Sequence, residues 1–564
     1  MNKLRKDGTV VDKAYDLGKT SVTGSFQLLI GVAASTIIMA VQAIFLGRFL
    51  TRDEYGLYTI VLVPSTMINL FRDWGVNSAM TRYIASLKVS QRDEEIYDFI
   101  VAGLIFEVVS GIALSFLSLF LASFIASAAF HRPESTPYIG ILSVSIISGS
   151  LLAASQAGFV GFERMGLSSF TLICQAIVKT AVGIALVLLG YSVLGAVIGT
   201  TLGFAAAGIA GIATFYVTLL RPLRKELTKT LRTHGVTRIS KTLKTMLNYG
   251  VPLSIGISLS SILTQIYAFI IIPLTTNGAY ADYTVATYFA VLLTFLTIPI
   301  ATVLFPTFAK LDPQNEHELI KNVFKSSIKY TSMLVAPATM VLMTLSGPIV
   351  GTVFGEKYIN APFFLTISVV GTLLAVLGSQ SFVGFLSGLG ETGTLMKANI
   401  ITIVVGIPLG VLLIPPLSAR SAILGITGLI IATVVSNVPS TLWVIHWIWK
   451  HYRTRADFRS SAKILLASAI AAFLAYLPTA FLNAADWIKL IIGLAIFLTV
   501  YVLGAPIIGA VSLTDISSLK VISSGMGKVS KIINIPLNAA ERVARIKAAH
   551  ANPPKKQERP EVKD

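Results

Sequence analysis

The sequence predicts an all-α polytopic membrane protein of about fourteen transmembrane helices, with two six-helix lobes in a parallel pseudo-two-fold arrangement and two further C-terminal helices. Three observations predict it: an apolar composition, fourteen apolar runs of spanning length, and a weak internal repeat. Of 564 residues, 54% are hydrophobic and 13% charged, and the mean hydropathy is +0.77. An ordinary soluble domain carries roughly 25% charged residues, so a conventional soluble enzyme is excluded. The net charge of +18 must then be explained by its placement along a membrane chain rather than by a nucleic-acid partner. Cys174 is the single cysteine and only 6 His are scattered along the chain, which leaves no intramolecular disulfide, no Cys-based zinc site and no HExxH spacing.

A helix needs about 20 apolar residues to cross ~30 Å of hydrocarbon. Runs of that kind lie near 24–47, 57–81, 97–126, 138–160, 169–190, 192–220, 248–274, 284–309, 328–351, 362–388, 395–416, 422–448, 462–482 and 487–511. The first has no small-residue cleavage site and reads as a retained helix rather than a signal peptide. With the N-terminus inside, 37 of the 45 Lys+Arg fall in cytoplasmic segments and six in outward loops, so both termini are expected in the cytoplasm and the protein in the cell membrane. The expected organisation is a cytoplasmic N-terminus (1–23), an N-lobe (24–220), a basic cytoplasmic linker (221–247), a C-lobe (248–449), spans 13 and 14 (462–511), and a basic, partly disordered tail (512–564). Outward loops of about ten residues leave no room for a catalytic domain. Transport is favoured over catalysis, and no catalytic residue is assigned.

The repeat has an offset of 225 residues: TRDEYGLYT (51–59) aligns on TNGAYADYT (276–284), with Gly31/Gly256 and Ser35/Ser260 upstream in the same frame. Span parity makes the two copies parallel. Buried charge is expected only in the first lobe, as Arg72, Asp73, Glu107 and Lys179. The second lobe carries Pro252, Pro273, Pro299, Pro306, Pro337, Pro348, Pro408 and Pro439 instead, and is expected to bend more.

Span 2 is the most informative. On a helical wheel, Tyr58, Thr59, Ser65, Thr66, Asn69, Arg72, Asp73 and Asn77 share one ~140° arc. Arg72 lies ten residues, about 15 Å, before Arg82, near the membrane midplane. A charge there costs at least ~2.5–3.5 kcal/mol unless it meets water or a partner. The stripe therefore either lines a cavity or pairs with Glu107 or Lys179 to fix packing. Lys179 stands below Ser168, Thr171 and Gln175 in span 5. The four charges sum to zero, so cation and anion sites compensate one another. Two cations facing water suit a phosphate or pyrophosphate, and the carboxylates Asp73 and Glu107 suit a proton or Na⁺. No other cofactor and no metal is called for. Span 7 repeats Ser254, Ser258, Ser261 and Gln265 on one face, suited either to sugar hydroxyls or to helix packing. The tail interleaves Lys528, Lys531, Arg542, Arg545 and Lys547 with Ile532, Ile533, Val543 and Ile546, which suits either the anionic inner leaflet or a solvated segment.

These residues carry a family likeness. The stretch 47–86, with Leu-Thr-x-x-x-Tyr-Gly, Asp-x-Gly and then Arg-Tyr-Ile-Ala, resembles the start of polysaccharide-biosynthesis membrane proteins. These are Wzx-like oligosaccharide-lipid flippases of the multidrug/oligosaccharidyl-lipid/polysaccharide exporter superfamily. Tyr249-Gly250-x-Pro252, Phe305-Pro306 and VFGEKYINA (353–361) agree, and the likeness spans roughly 20–510. It implies a MATE-like fold that moves a polyprenyl-linked oligosaccharide to the outer leaflet by alternating access, for surface polysaccharide or glycoprotein glycan assembly. By that likeness Arg72 and Lys179 contact the headgroup, with Arg48 at the outer end of span 1 and Arg82 at the inner mouth. Tyr58, Asn69, Asn77, Gln175 and the span 7 stripe would line the cavity. Implied partners are the lipid-linked substrate, membrane lipids and glycan-assembly enzymes, with no nucleic acid and a monomeric state. The chain departs from the lipid II flippase branch, having no basic residue in span 1 before Arg48 and none in span 8 before Lys310. The alternatives are a cation-coupled multidrug exporter of the same fold, with Asp73 and Glu107 as its ion site, and a membrane glycosyltransferase or polymerase, which the short outer loops disfavour.

Overall fold

The computed structural model describes residues 27–90, 92–309, 316–454, 457–524 and 529–551. The predicted N-terminal segment 1–23, Lys528 and the end of the tail lie outside them, as do the side chains of Ile532 and Ile533. The described chain is helical, without a strand, and the described parts of the predicted spans lie mostly on helix, with breaks inside 57–81, 328–351 and 362–388. Eight helical segments among the described residues are long and apolar enough to cross a membrane, or ten when two bent pairs are counted. One of the eight, Met165–Leu220, contains two of the predicted spans. Its chain turns at Gly190 (φ 91°) and Ser192 (φ 46°), so it is a hairpin of two helices.

Contacts divide the chain into two compact units, Met1–Ala281 with Gly410–Leu429, and Asp282–Leu409 with Ile430–Asp564. The first contains α1 (Gln27–Phe49), α2 (Arg52–Leu70), α3 (Val76–Val89), α4 (Asp93–Phe124), α5 (Thr136–Gly161), α6 (Met165–Leu186), α7 (Ser192–Phe215) and α8 (Arg221–Ile271). At its centre is α5, whose Ser143, Ser145, Ser150 and Ser155 are buried and hydrogen-bond carbonyls three or four residues back in their own helix. Small side chains let neighbours approach where there is no hydrophobic drive to bring helices together. Gly111 of α4 and Gly211 of α7 accordingly sit where a Cβ would strike Ser150 and Ser155. Lipid-facing positions are apolar instead, as at Phe120, 84% exposed. The basic segment 221–247 is the first half of α8, which Arg238 ties to the buried Asp98 of α4 at 2.6 Å.

The second unit contains most of α9 (Asn277–Ala309), then α10 (His317–Thr344), α11 (Ser346–Phe354), α12 (Ala361–Val370) and α13 (Phe382–Gly388). Beyond them lie α14 (Thr392–Ser418) and α15 (Ala422–Tyr452), whose adjoining ends Gly410–Leu429 belong to the first unit, and then α16 (Phe458–Phe481), α17 (Asp486–Ile508), α18 (Leu513–Ser524) and α19 (Val529–Ala551). The α10–α11 pair bends by 74°. Pro348 explains it, since its ring excludes the carbonyl of Thr344 and it has no N–H to donate there. The helical segment Ala361–Leu377 and α13 bend by 44°, at Gly378 with φ 99°. One expectation fails here: buried charge is not confined to the first lobe. Asp282 is fully buried in α9 and accepts the Asn360 backbone N–H (3.1 Å) and Nδ2 (2.9 Å) at the start of α12. It sits two residues ahead of predicted span 8, where a charge carries no sequence signal of burial. Asn360 of the VFGEKYINA motif is thus a structural anchor.

The internal repeat has a structural counterpart. Thr51 caps α2, its Oγ1 accepting the Glu54 N–H while the Glu54 carboxylate accepts the Thr51 N–H at 2.8 Å, a capping box. At the offset of 225, Thr276 Oγ1 accepts the Ala279 N–H at 3.2 Å to cap α9. The two helix starts abut: Gly56 meets the Asn277 carbonyl, and Gly278 meets Asp53, its own equivalent in the repeat.

A buried arginine holds this junction. Arg132, 8% exposed, donates to Asn277 Oδ1 (2.6 Å) and to the carbonyls of Phe130, Ile272 and Thr275 (2.7–2.8 Å). Burial lowers its pKa from the ordinary value, and Glu134 opposes that shift. Arg132→Ala would strand these acceptors, at an expected cost of about 2–4 kcal/mol. Arg132→Lys should recover less than half of it, because an ammonium cannot reproduce the planar fork. Thermal melts of the three proteins in detergent test this, and equal midpoints for Lys and Arg would refute it.

Candidate functional site

The site forms where the predicted second span breaks. α2 ends at Leu70 and α3 begins at Val76, and the intervening Trp74 and Gly75 have positive φ (48° and 76°). The single wheel through Tyr58 and Asn77 therefore does not hold, and its polar residues divide between two helices. Asp73 makes the break good, its carboxylate accepting the Asn77 N–H at 2.8 Å to cap α3.

Arg72 lies in the break and turns to α4. Its Nε is 3.3 Å from Glu107 Oε2, and its Nη1 donates to Asn69 Oδ1 at 2.9 Å. Glu107 has no exposed side-chain surface, and its other oxygen accepts from Asn77 Nδ2 at 2.7 Å. Arg72, Asn69, Asp73, Asn77 and Glu107 thus form one cluster. Between the alternatives for compensating Arg72, its partner is Glu107. The pair is in contact at 3.3 Å, and among the described residues neither Arg72 Nε nor Glu107 Oε2 makes a well-aligned hydrogen bond. A guanidinium with donor capacity to spare is suited to exchange one oxyanion for another. Gly149 of α5 provides its space, because a Cβ there would lie 3.1 Å from Arg72 Nη1.

The motifs of the family likeness converge on the same break. Gly75 of Asp-x-Gly and Gly250 of Tyr-Gly-x-Pro meet backbone to backbone, a Cβ on either falling within 2.5 Å of the other's carbonyl oxygen. Nearly two turns into α3, the exposed Arg82 lays its guanidinium on the Tyr249 ring at 4.3 Å. Further along α8, Gln265 accepts from Thr66 of α2 at 3.3 Å. Ser254 and Ser258 are half-buried and Ser261 is exposed on the same helix.

Other predicted residues lie on α1, α2 and α6. Lys179 is half-buried on α6, where its carbonyl accepts from Gln42 Nε2 at 3.3 Å and Gly203 of α7 abuts its Cβ. Gln175 is buried one turn earlier. Tyr58 is buried, its hydroxyl 2.9 Å from the Thr200 hydroxyl of α7. Arg48 is exposed at the end of α1. Gly149, Arg132, Asp98 and Asp282 were not singled out from sequence. Asp98, one residue inside a predicted span, was the one with a readable signal.

Apolar helices of this number and length define a multi-pass membrane protein. Its fold matches an inward-closed structure of the lipid II flippase MurJ (TM-score 0.63, 17% identity, 84% of this chain and 97% of that one). It also matches an inward-facing multidrug resistance MATE family transporter of the MOP superfamily (TM-score 0.59, 16% identity, 75% and 96%). The chain belongs to the polysaccharide biosynthesis protein family, whose model matches residues 45–362, more than half its length. Among curated relatives it is 24% identical to the lipopolysaccharide biosynthesis protein WzxC of Escherichia coli, over 61% of this chain and 66% of that one. It is likewise 24% identical to the probable low-salt glycan biosynthesis flippase Agl15 of Haloferax volcanii, over 36% and 41%.

Proposed function

We propose that this protein flips a polyprenyl phosphate- or pyrophosphate-linked oligosaccharide from the cytoplasmic to the outer leaflet of the cell membrane by alternating access, with both termini cytoplasmic. The observation that carries the reading is the buried Arg72–Glu107 pair at the α2–α3 break, in a chain whose curated relatives include a probable low-salt glycan biosynthesis flippase. Phosphate would displace Glu107 from Arg72 and take the guanidinium bidentately, with Asn69 and Asn77 beside it. The carboxylate released would then be buried without its cation and would take a proton or Na⁺, which couples substrate entry to an ion. Lys179 would supply a second positive charge and Arg82 would guide the headgroup at the inner mouth. The experiment is accumulation of outer-leaflet glycolipid in cells with and without the chain, and undiminished accumulation without it would remove the reading.

The second reading, a cation-coupled multidrug exporter, is favoured by the MATE-like fold and by the presence of a buried carboxylate. It needs the ion but not the oxyanion. Coupling through Glu107 predicts that collapsing ion gradients with ionophores slows flipping at least several-fold and that Glu107→Gln removes this sensitivity. A rate indifferent to ionophores would exclude the coupling.

A further inference from the structure

Helix α19 has two opposed faces. Ala540 and Ala544, both 7% exposed, pack into a cluster with Ala505 of α17, with Ala510 and Val511 of the α17–α18 link, and with Ile516 of α18. Lys547 Nζ donates to the carbonyls of Pro506 (3.3 Å) and Ile507 (2.9 Å), the last turn of α17, where a lysine also complements the helix dipole. The Glu541 carboxylate is paired with both Lys520 of α18 and Arg545. Lys329 of α10 reaches the buried Asp515 of α18 at 2.6 Å. These contacts hold α18 and α19 at the end of the apolar span Asp486–Ile508, which is the level of a membrane boundary.

The other face is unlike the surface of a solvated helix. Ile535 and Ile546 are 70% and 60% exposed. Eleven residues apart, they stand about 20° from each other on the wheel. Lys531 and Arg542 have the same spacing, lie about 20–60° from the isoleucines, and are also exposed. Ile507, 60% exposed at the end of α17, and Leu513, 36% exposed at the start of α18, extend apolar surface at the junction. Residues 529–551 carry Lys531, Arg542, Arg545 and Lys547 against Glu541 alone. Exposed isoleucines flanked by cations are the signature of a helix lying in a lipid headgroup region, where apolar insertion and attraction to anionic lipid act together.

We infer that α19 is an interfacial helix that seats Ile535 and Ile546 in the anionic inner leaflet, with Lys531 and Arg542 on phospholipid phosphates and Ala540, Ala544 and Lys547 fastening it to α17. The inner leaflet in this statement rests on the cytoplasmic placement of the C-terminus proposed above. Lipid contact itself does not.

The test uses the full chain carrying Cys174→Ser and Ile546→Cys, labelled with an environment-sensitive fluorophore. It is reconstituted in nanodiscs of phosphatidylcholine alone or with phosphatidylglycerol, which expose both faces and make the readout independent of sidedness. The expected result is a blue-shifted emission in anionic discs that is reversed by salt. Lys531→Gln/Arg542→Gln, which leaves the Glu541 pairs intact, should weaken the lipid-bound state roughly 30-fold, the equivalent of about 1 kcal/mol per basic residue. An emission indifferent to lipid charge and to these two residues would mean a solvated face or a protein contact and would overturn lipid binding. Sidedness is read separately. Membrane-impermeant maleimide should label Ile546→Cys only after cells are permeabilised, and labelling of intact cells would overturn the inner-leaflet assignment alone.

Discussion

Arg72→Ala is expected to abolish outer-leaflet glycolipid accumulation and at the same time to destabilise the protein by about 3–5 kcal/mol, because it leaves Glu107 buried without its cation, so that the carboxylate must take a proton or stay unpaired. Loss of transport in that variant alone would thus be ambiguous. The double variant Arg72→Ala/Glu107→Gln separates the two effects. A neutral amide needs no cation and can still meet Asn77, so the thermal midpoint should recover most of the loss. Transport should stay absent if Arg72 holds the headgroup. Arg72→Lys should give an intermediate rate, since it keeps the charge and loses the bidentate fork. Thermal melts in detergent and glycolipid accumulation in cells provide the two readouts. A double variant that flips substrate at the wild-type rate would make the pair a packing device.

The membrane fold was legible in sequence because its signals are local. A run of 20 apolar residues and a bias in Lys and Arg need no tertiary knowledge. The charges at Arg72 and Glu107 were legible for the same reason, being costly in hydrocarbon wherever their partners stand. Their pairing was not, since the partner is set by how α2, α3 and α4 meet. The wheel failed at a position that carried a warning: Asp73-Trp74-Gly75 puts a helix cap and a left-handed glycine inside what reads as one span. Asp282 and Arg132 lay just outside the apolar runs, where charge is unremarkable in sequence, and only the fold buries them. Lys179 remains a charge at a readable position whose part in binding is a proposal.

The repeat illustrates how a weak signal can be physical. A few identities at an offset of 225 fall on a threonine cap and on tyrosines of the helix that follows it. Thr51 and Thr276 are fixed by orphan N–H groups at a helix start. Tyr55 and Tyr280 are fixed by burial, at 0% and 6% exposure. The rest of each lobe could drift, because lipid-facing positions ask only for an apolar side chain.

The second large effect is expected at the crossing of the two motifs. A Cβ on Gly250 would lie 2.5 Å from the Gly75 carbonyl oxygen and 2.9 Å from that of Trp74. Both obstacles are backbone, so no side-chain rotation relieves them. Gly250→Ala should gain up to ~1 kcal/mol of helix propensity, yet forcing α8 away from the break should cost more, for a net loss of about 2–3 kcal/mol. Gly75→Ala should be worse by roughly 1–2 kcal/mol, because its φ of 76° adds left-handed strain to the same collision. Gly504→Ala in α17, where a Cβ meets nothing within 4 Å, is the control and should be neutral or stabilising. The crossing also bears on the site, since Gly75 is two residues from Asp73 and Tyr249 carries the Arg82 stack. Separation of the backbones should therefore lower transport beyond what the loss of folded protein explains. Transport per folded molecule equal to wild type in Gly250→Ala would restrict the crossing to stability, and a wild-type midpoint would refute the close approach itself.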